Sequence, residues 1–130
     1  MGQLQDKVAI VTGAARGLGR AYAQAMAHEG AAVLVCDVNS CDETVAAIAA
    51  AGGQVKGVRT DVSSMASCTD MAAAAVSAFG RVDVLVNNAG RSPACPSHEL
   101  SEALFDSVLN RNFKGPFRLA SQIGKRMFDG

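Results

Sequence analysis

Short apolar runs alternate with stretches of helical periodicity along the chain. Val8 to Val11 is an unbroken apolar run closed by Thr12 and Gly13, the pattern of a strand buried on both faces. Leu18 to His28 carries Leu18, Ala21, Ala25 and Met26 at roughly helical steps and stops near Gly30, a residue type that closes helices. The same alternation predicts a strand at Ala32 to Asp37 and a helix from Asp42 to Ala51, with Gly52-Gly53 as punctuation. It continues with a strand at Gln54 to Thr60, a helix from Ser64 to Phe79 closed by Gly80, and a strand at Val82 to Val86. Strands separated by single helices need right-handed crossovers, and so a parallel sheet covered on both faces. The expected fold is Rossmann-type, doubly wound α/β. The last element, Ser101 to Met127, sets Leu104, Phe105, Val108, Leu109, Phe113, Phe117, Ala120 and Ile123 on one stripe at steps of three and four, which predicts one long helix. Before it, Arg91 to Ser97 reads as an ordered surface loop.

Composition narrows the possibilities. With 130 residues and 49% hydrophobic content, one modest core and a single domain over 1–130 are expected. Twelve basic and twelve acidic residues cancel, so no net field gathers nucleic acid or an anionic membrane. The longest apolar runs, Ala31 to Cys36 and Met71 to Val76, fall short of the ~20 residues that cross a bilayer. Asp6 and Lys7 precede a first apolar run too short for a signal peptide, and Asp6 stands where a myristoylation motif has Ser or Thr. A cytoplasmic protein is expected. Cys36, Cys41, Cys68 and Cys95 are too scattered for a C-x-x-C pair, and only His28 and His98 could supplement them. Free thiols and no metal site are expected.

The candidate chemistry lies between the first strand and the first helix. Thr12-Gly13-Ala14-Ala15-Arg16-Gly17-Leu18-Gly19 places glycine where a backbone must bend, approach a ligand, or let helix pack on strand. The helix starts inside this run, so its unpaired N–H groups and positive dipole end favour a pyrophosphate over the turn. Asp37 ends the second strand, at about the distance from the turn where an acid accepts hydrogen bonds from an adenosine ribose. Its charge opposes the 2′-phosphate of NADP, so NAD is the expected cofactor. Arg16 argues mildly the other way, or else pairs with Asp37 or points to solvent.

With Asp61-Val62 after the third strand and Asn87-Asn88-Ala89-Gly90 after the fourth, the chain resembles the short-chain dehydrogenase/reductase family. The resemblance implies that Gly13, Arg16, Gly17, Leu18 and Gly19 hold the pyrophosphate side, Asp37 and Val38 the adenosine ribose, and Asp61 and Val62 the adenine. It also implies that Asn88, Ala89 and Gly90 line the cofactor through their backbone. Asp61 equally suits a helix N-cap over Ser63-Ser64, and both roles are compatible. Asn87 is expected to tie neighbouring strands. Asn112 matches the asparagine of the family's Asn-Ser-Tyr-Lys catalytic set, whose carbonyl holds a water of a proton relay. Pro116 lacks the N–H that would meet the Asn112 carbonyl four residues earlier, which leaves that carbonyl in need of a partner. The alternative is a simple kink at Gly115-Pro116.

The departures are as informative. The only tyrosine, Tyr22, is followed four residues on by Met26, so Tyr-x-x-x-Lys is absent. Ionising a tyrosine near neutral pH requires a fall of ~3 units from about 10, and nothing here provides it. Strands three, two, one and four are present and the chain stops before a fifth, so it reads as the cofactor half of a longer NAD(H)-dependent oxidoreductase acting on an alcohol or carbonyl. Alone it is expected to be inactive. The alternative is a non-catalytic dinucleotide-binding or assembly module. The resemblance further implies a homo-oligomer, dimer or tetramer, formed through the helix over 101–127. Substrate identity is not legible, since only Arg91 to Glu99 would border that pocket.

Overall fold

The computed structural model describes residues 2–90 and 101–129. Its strands are β1 (Val8–Thr12), β2 (Ala32–Asp37), β3 (Val55–Arg59) and β4 (Val84–Val86). They form one parallel sheet in the order β3-β2-β1-β4, the doubly wound arrangement expected. The helices are α1 (Gly17–His28), α2 (Asp42–Ala50), α3 (Met65–Phe79), α4 (Glu102–Leu109) and α5 (Gly115–Asp129).

The period-two alternation of the central strands divides the core into two layers. Ala9 and Val11 of β1, with Val33 and Val35 of β2, pack toward Ala23 of α1 and Ile48 of α2. Ile10, Leu34 and Cys36 point the other way, onto Met71 and Ala72 of α3 and Leu119 and Ile123 of α5. All five residues of β1 are buried, as a strand covered on both faces must be. Each large side chain removed from water here contributes roughly 1.5–3 kcal/mol. Ser64 caps α3 by accepting the Ser67 N–H at 3.2 Å, and Gly80 closes it with φ +81°. Among the described residues, no helix is long and apolar enough to cross a membrane.

The regular strands β3 and β4 are shorter than the sequence expectation. The ladder around β3 does run from Gln54 to Thr60: Val33 donates to the Gln54 carbonyl and Thr60 to that of Asp37, although the regular strand is only Val55–Arg59. β4 starts at Val84 rather than Val82 because Asp83 replaces a ladder residue. Its backbone N–H donates to the Val8 carbonyl at 2.8 Å, while its own Oδ2 accepts the Val8 N–H at 2.9 Å.

The helix expected over 101–127 is interrupted. Between α4 and α5 lies a π turn, Asn110–Lys114, in which the Gly115 N–H donates to the Asn110 carbonyl five residues back. Pro116 has no N–H for the regular ladder, and the helix widens there. The apolar stripe is split as well. Leu119 and Ile123 are buried against α3, whereas Phe105, Leu109, Phe113 and Phe117 face outward.

Asp83 provides a test of the β1–β4 junction. Hydrogen bonds from Arg81, as close as 2.6 Å, hold its carboxyl below the usual range; partial burial opposes the shift and the Val8 N–H adds to it. A carboxyl depressed by folding stabilises the protein above its unfolded pKa of about 4, and that contribution disappears as pH falls through the folded value. Wild type should therefore lose more thermal stability than D83N on acidification from pH 6 to about pH 3, as measured by circular dichroism melts. Equal losses would show that the junction does not depend on the charge.

Candidate functional site

The strand order reverses its direction of growth at β1, which has β2 on one side and β4 on the other. At such a switch point the carboxyl ends of the strands open into a crevice. A cleft of about 290 Å³ lies there. A larger hollow of about 600 Å³ lies at the amino ends of the strands, around Gln5, Gly30, Gly53 and Phe79. That hollow is away from the turn chemistry, and the switch-point cleft is the better site.

The floor of the cleft is the glycine turn. Gly13 takes φ +64° and Gly17 φ +61°, in the left-handed region that disfavours side chains. Gly19 is required by proximity: a Cβ there would stand 2.1 Å from the Gly13 carbonyl oxygen. This contact draws α1 beneath the end of β1. Thr12 supplies the second tie. Its hydroxyl accepts the Asn88 and Ala89 N–H groups at 2.9 and 2.8 Å and donates to the Val86 carbonyl at 3.3 Å. The Asn88 amide donates to the Gly13 carbonyl at 3.2 Å. The strand tie expected of Asn87, which is exposed, is thus made by Asn88.

On the β2 side, Asp37 Oδ2 accepts the Ala15 N–H at 3.1 Å and Oδ1 accepts the Asn39 N–H at 3.0 Å. Among the described ion pairs none joins Arg16 to Asp37; both residues line the cleft. On the β3 side, Asp61 Oδ1 accepts the Ser63 hydroxyl at 2.6 Å and the Ser63 N–H at 3.0 Å. The Ser63 hydroxyl is the main reason its carboxyl sits below the usual range, against partial burial, with Arg111 and Arg118 adding to the shift. Asp61 therefore folds the turn that leads into α3, while Ser64 is the cap itself.

The cleft wall gathers Gly13, Arg16, Gly17, Asp37 and Val38 on one side and Asp61, Val62, Asn88, Ala89 and Gly90 on the other. Leu18, Gly19 and Asn112 are not part of that wall: Leu18 is exposed and Gly19 is buried under the turn. Asn112 stands in the π turn, its Oδ1 3.1 Å from where a Cβ on Gly90 would be. Widening at Asn110–Lys114, rather than a kink, is how the helix accommodates Pro116. Arg91 to Glu99, with Cys95 and His98, lies outside the described residues.

Thr12, Cys36, Thr60 and Arg111 also line the cleft, and the sequence reading gave none of them a role. Thr60 is buried beside the Cys36 thiol, and its Oγ1 has no other hydrogen-bond partner among the described residues. Its place beside Asp61 at the end of a strand was the available signal. Burial pushes the Cys36 thiol up to about 12 and the Cys41 thiol up to about 11, so both stay protonated at neutral pH. With Cys68 they are buried, free cysteines.

The glycines allow a paired test. Alanine at Gly17 meets no atom within 4 Å and bears only its positive φ, a penalty of about 1–2 kcal/mol. Alanine at Gly19 overlaps the Gly13 backbone. G19A should therefore lower the denaturation midpoint well beyond G17A. The reverse order would mean that α1 is not held by this contact.

Comparison with known proteins accords with this geometry. Residues 7–130 match the family model described as short chain dehydrogenase. The chain is 40% identical over 129 residues to a D-threitol dehydrogenase of Mycolicibacterium smegmatis, covering 98% of this chain and 50% of that protein. It is 38% identical over 125 residues to a galactitol 2-dehydrogenase of Agrobacterium fabrum, covering 96% and 48%. A solved short-chain dehydrogenase/reductase of Serratia marcescens, in a doubly substituted form, superposes with a TM-score of 0.91 at 35% identity, covering 95% of this chain and 52% of that one. The chain spans about half the length of these relatives. On the family match, the glycine turn and the sheet order together, this chain belongs to the short-chain dehydrogenase family.

Proposed function

We propose that the whole protein is an NAD(H)-dependent oxidoreductase that interconverts an alcohol and a carbonyl compound, and that this chain is the half that holds the cofactor. The observation that carries the reading is Asp37 at the mouth of the cleft, with its carboxylate fixed by two backbone N–H groups. A carboxylate has about four acceptor positions. Two are used on Ala15 and Asn39, which leaves two for the hydroxyls of an adenosine ribose. A 2′-phosphate in the same place would meet negative charge. Two relatives named for threitol and galactitol support a polyhydroxylated alcohol as substrate.

The residues fit such a cofactor. Glycine at positions 13 and 17 keeps the turn open to a pyrophosphate, and the first N–H groups of α1 have no helical acceptors of their own. Val38 and Val62 offer apolar edges to an adenine. The buried Thr60 hydroxyl, beside the Cys36 thiol, and the Asp61 carboxylate offer polar ones. Asn88, Ala89 and Gly90 present backbone toward the nicotinamide side. When bound, the cofactor supplies the site that accepts or donates hydride. Asn112 orients a proton-relay water from the π turn, in the role its family counterpart has. The tyrosine and lysine of that relay are not among these 130 residues, so the chain alone binds without turnover. The outward face of Phe113 and Phe117, each 69% exposed, supports self-association through the helical segment over 101–127.

Titrations of cofactor fluorescence should give NADH an affinity at least about tenfold above that of NADPH, a difference of about 1.4 kcal/mol. Asp37→Ser should narrow the gap by weakening NADH and relieving the repulsion on NADPH. Tighter binding of NADPH by wild type would overturn the assignment. The 130-residue chain should also leave NAD unreduced in the presence of a polyol, and measurable turnover would refute the division of labour.

A further inference from the structure

A cluster on the far side of the glycine turn grips the backbone that faces the cleft. Thr44, in the first turn of α2, is fully buried. Its hydroxyl donates to the Ala14 carbonyl at 2.8 Å and accepts from Arg20 Nε at 3.0 Å. Arg20, on α1, also donates through Nη2 to the Ala15 carbonyl and to Glu43 Oε2, the latter at 3.0 Å. Two successive carbonyls of the turn are thus drawn toward α2 by side chains that do not line the cleft.

The peptides are trans, so each N–H points opposite to the carbonyl bonded to the same nitrogen. Turning the Ala14 carbonyl to Thr44 sends the Ala15 N–H the other way, where Asp37 Oδ2 accepts it at 3.1 Å. Holding the Ala15 carbonyl likewise directs the Arg16 N–H away from α2. We infer that Thr44 and Arg20 form a latch that sets the two peptide planes of the turn, and through the Ala15 N–H sets the place of the Asp37 carboxylate. The inference rests on the cofactor reading above and makes both residues positioning groups. Neither touches the cofactor.

The experiment compares wild type with T44V, T44S and R20Q in three measurements: NADH and NADPH affinity, the melting temperature, and amide hydrogen exchange at Ala15 in the nucleotide-free protein. T44V preserves shape and removes the hydroxyl. It should weaken NADH roughly tenfold by leaving buried groups unpaired, weaken NADPH less, and speed exchange at Ala15. T44S keeps the hydroxyl and should restore all three readouts. If T44V does not fold, R20Q, on a part-exposed side chain, tests the same latch and should weaken NADH about threefold. A merely structural role would lower the melting temperature and leave the NADH-to-NADPH ratio unchanged. Wild type that binds neither nucleotide overturns the function reading and the latch with it. Wild type that binds, with folded variants equal to it in affinity ratio and Ala15 exchange, overturns the latch alone.

Discussion

Nothing larger than hydrogen fits at Gly19, whose Cβ would fall 2.1 Å from the Gly13 carbonyl, and this approach places α1 under the end of β1. With α1 so close, its first N–H groups stand at the mouth of the switch-point crevice instead of a residue's breadth away. The Thr12 hydroxyl then joins β1 to the Asn88-Ala89 backbone beyond β4. One strand end therefore fixes both the floor and the far wall of the cleft, and the remaining elements add side chains to a frame those contacts have set.

Charge in the cleft is divided between its two walls. Arg16 and Arg111 bring positive charge, and Asp37 and Asp61 bring negative charge. The two carboxylates differ in what holds them. Asp61 is bound through Oδ1 to Ser63 within its own turn, and the nearby Arg111 and Arg118 offset its charge. Asp37 accepts only backbone N–H groups and has no cation paired with it among the described ion pairs. On the proposed reading, that difference makes Asp37 the residue that discriminates between cofactors and Asp61 the one that shapes the entry to α3.

Much of this was legible in the sequence. Short apolar runs and glycine punctuation predict the described strands, most directly β1 and β2, where burial on both faces leaves little freedom in residue choice. The glycine spacing and Asn88-Ala89-Gly90 predict two facing parts of one cleft, because backbone proximity restricts residue type directly. What escaped depends on three-dimensional partners. β4 starts late because a carboxylate from Asp83 captures the Val8 N–H, which no periodicity reveals. The missing donor at Pro116 was visible, but its resolution as a π turn was not, since a kink and a widened turn satisfy the same sequence. The stripe from Leu104 to Ile123 reads as one face of one helix, but the π turn adds a residue to the register, and Phe113 and Phe117 face outward while Ile123 is buried.

The position of Thr44 shows why specificity and architecture are hard to separate here. Asp37 is held by the same Ala15 N–H whose direction follows from the Ala14 carbonyl, and that carbonyl is held from α2. A substitution at Asp37 therefore removes a charge from the ribose side and an acceptor from the turn in one step. A buried N–H left without a partner costs about 1–3 kcal/mol, of the same order as a tenfold preference between cofactors. Removing the carboxylate alone would thus relieve repulsion of a phosphate and loosen the turn meant to hold the pyrophosphate. A change of cofactor preference at full affinity requires a side chain at position 37 that still accepts the Ala15 N–H while carrying no negative charge.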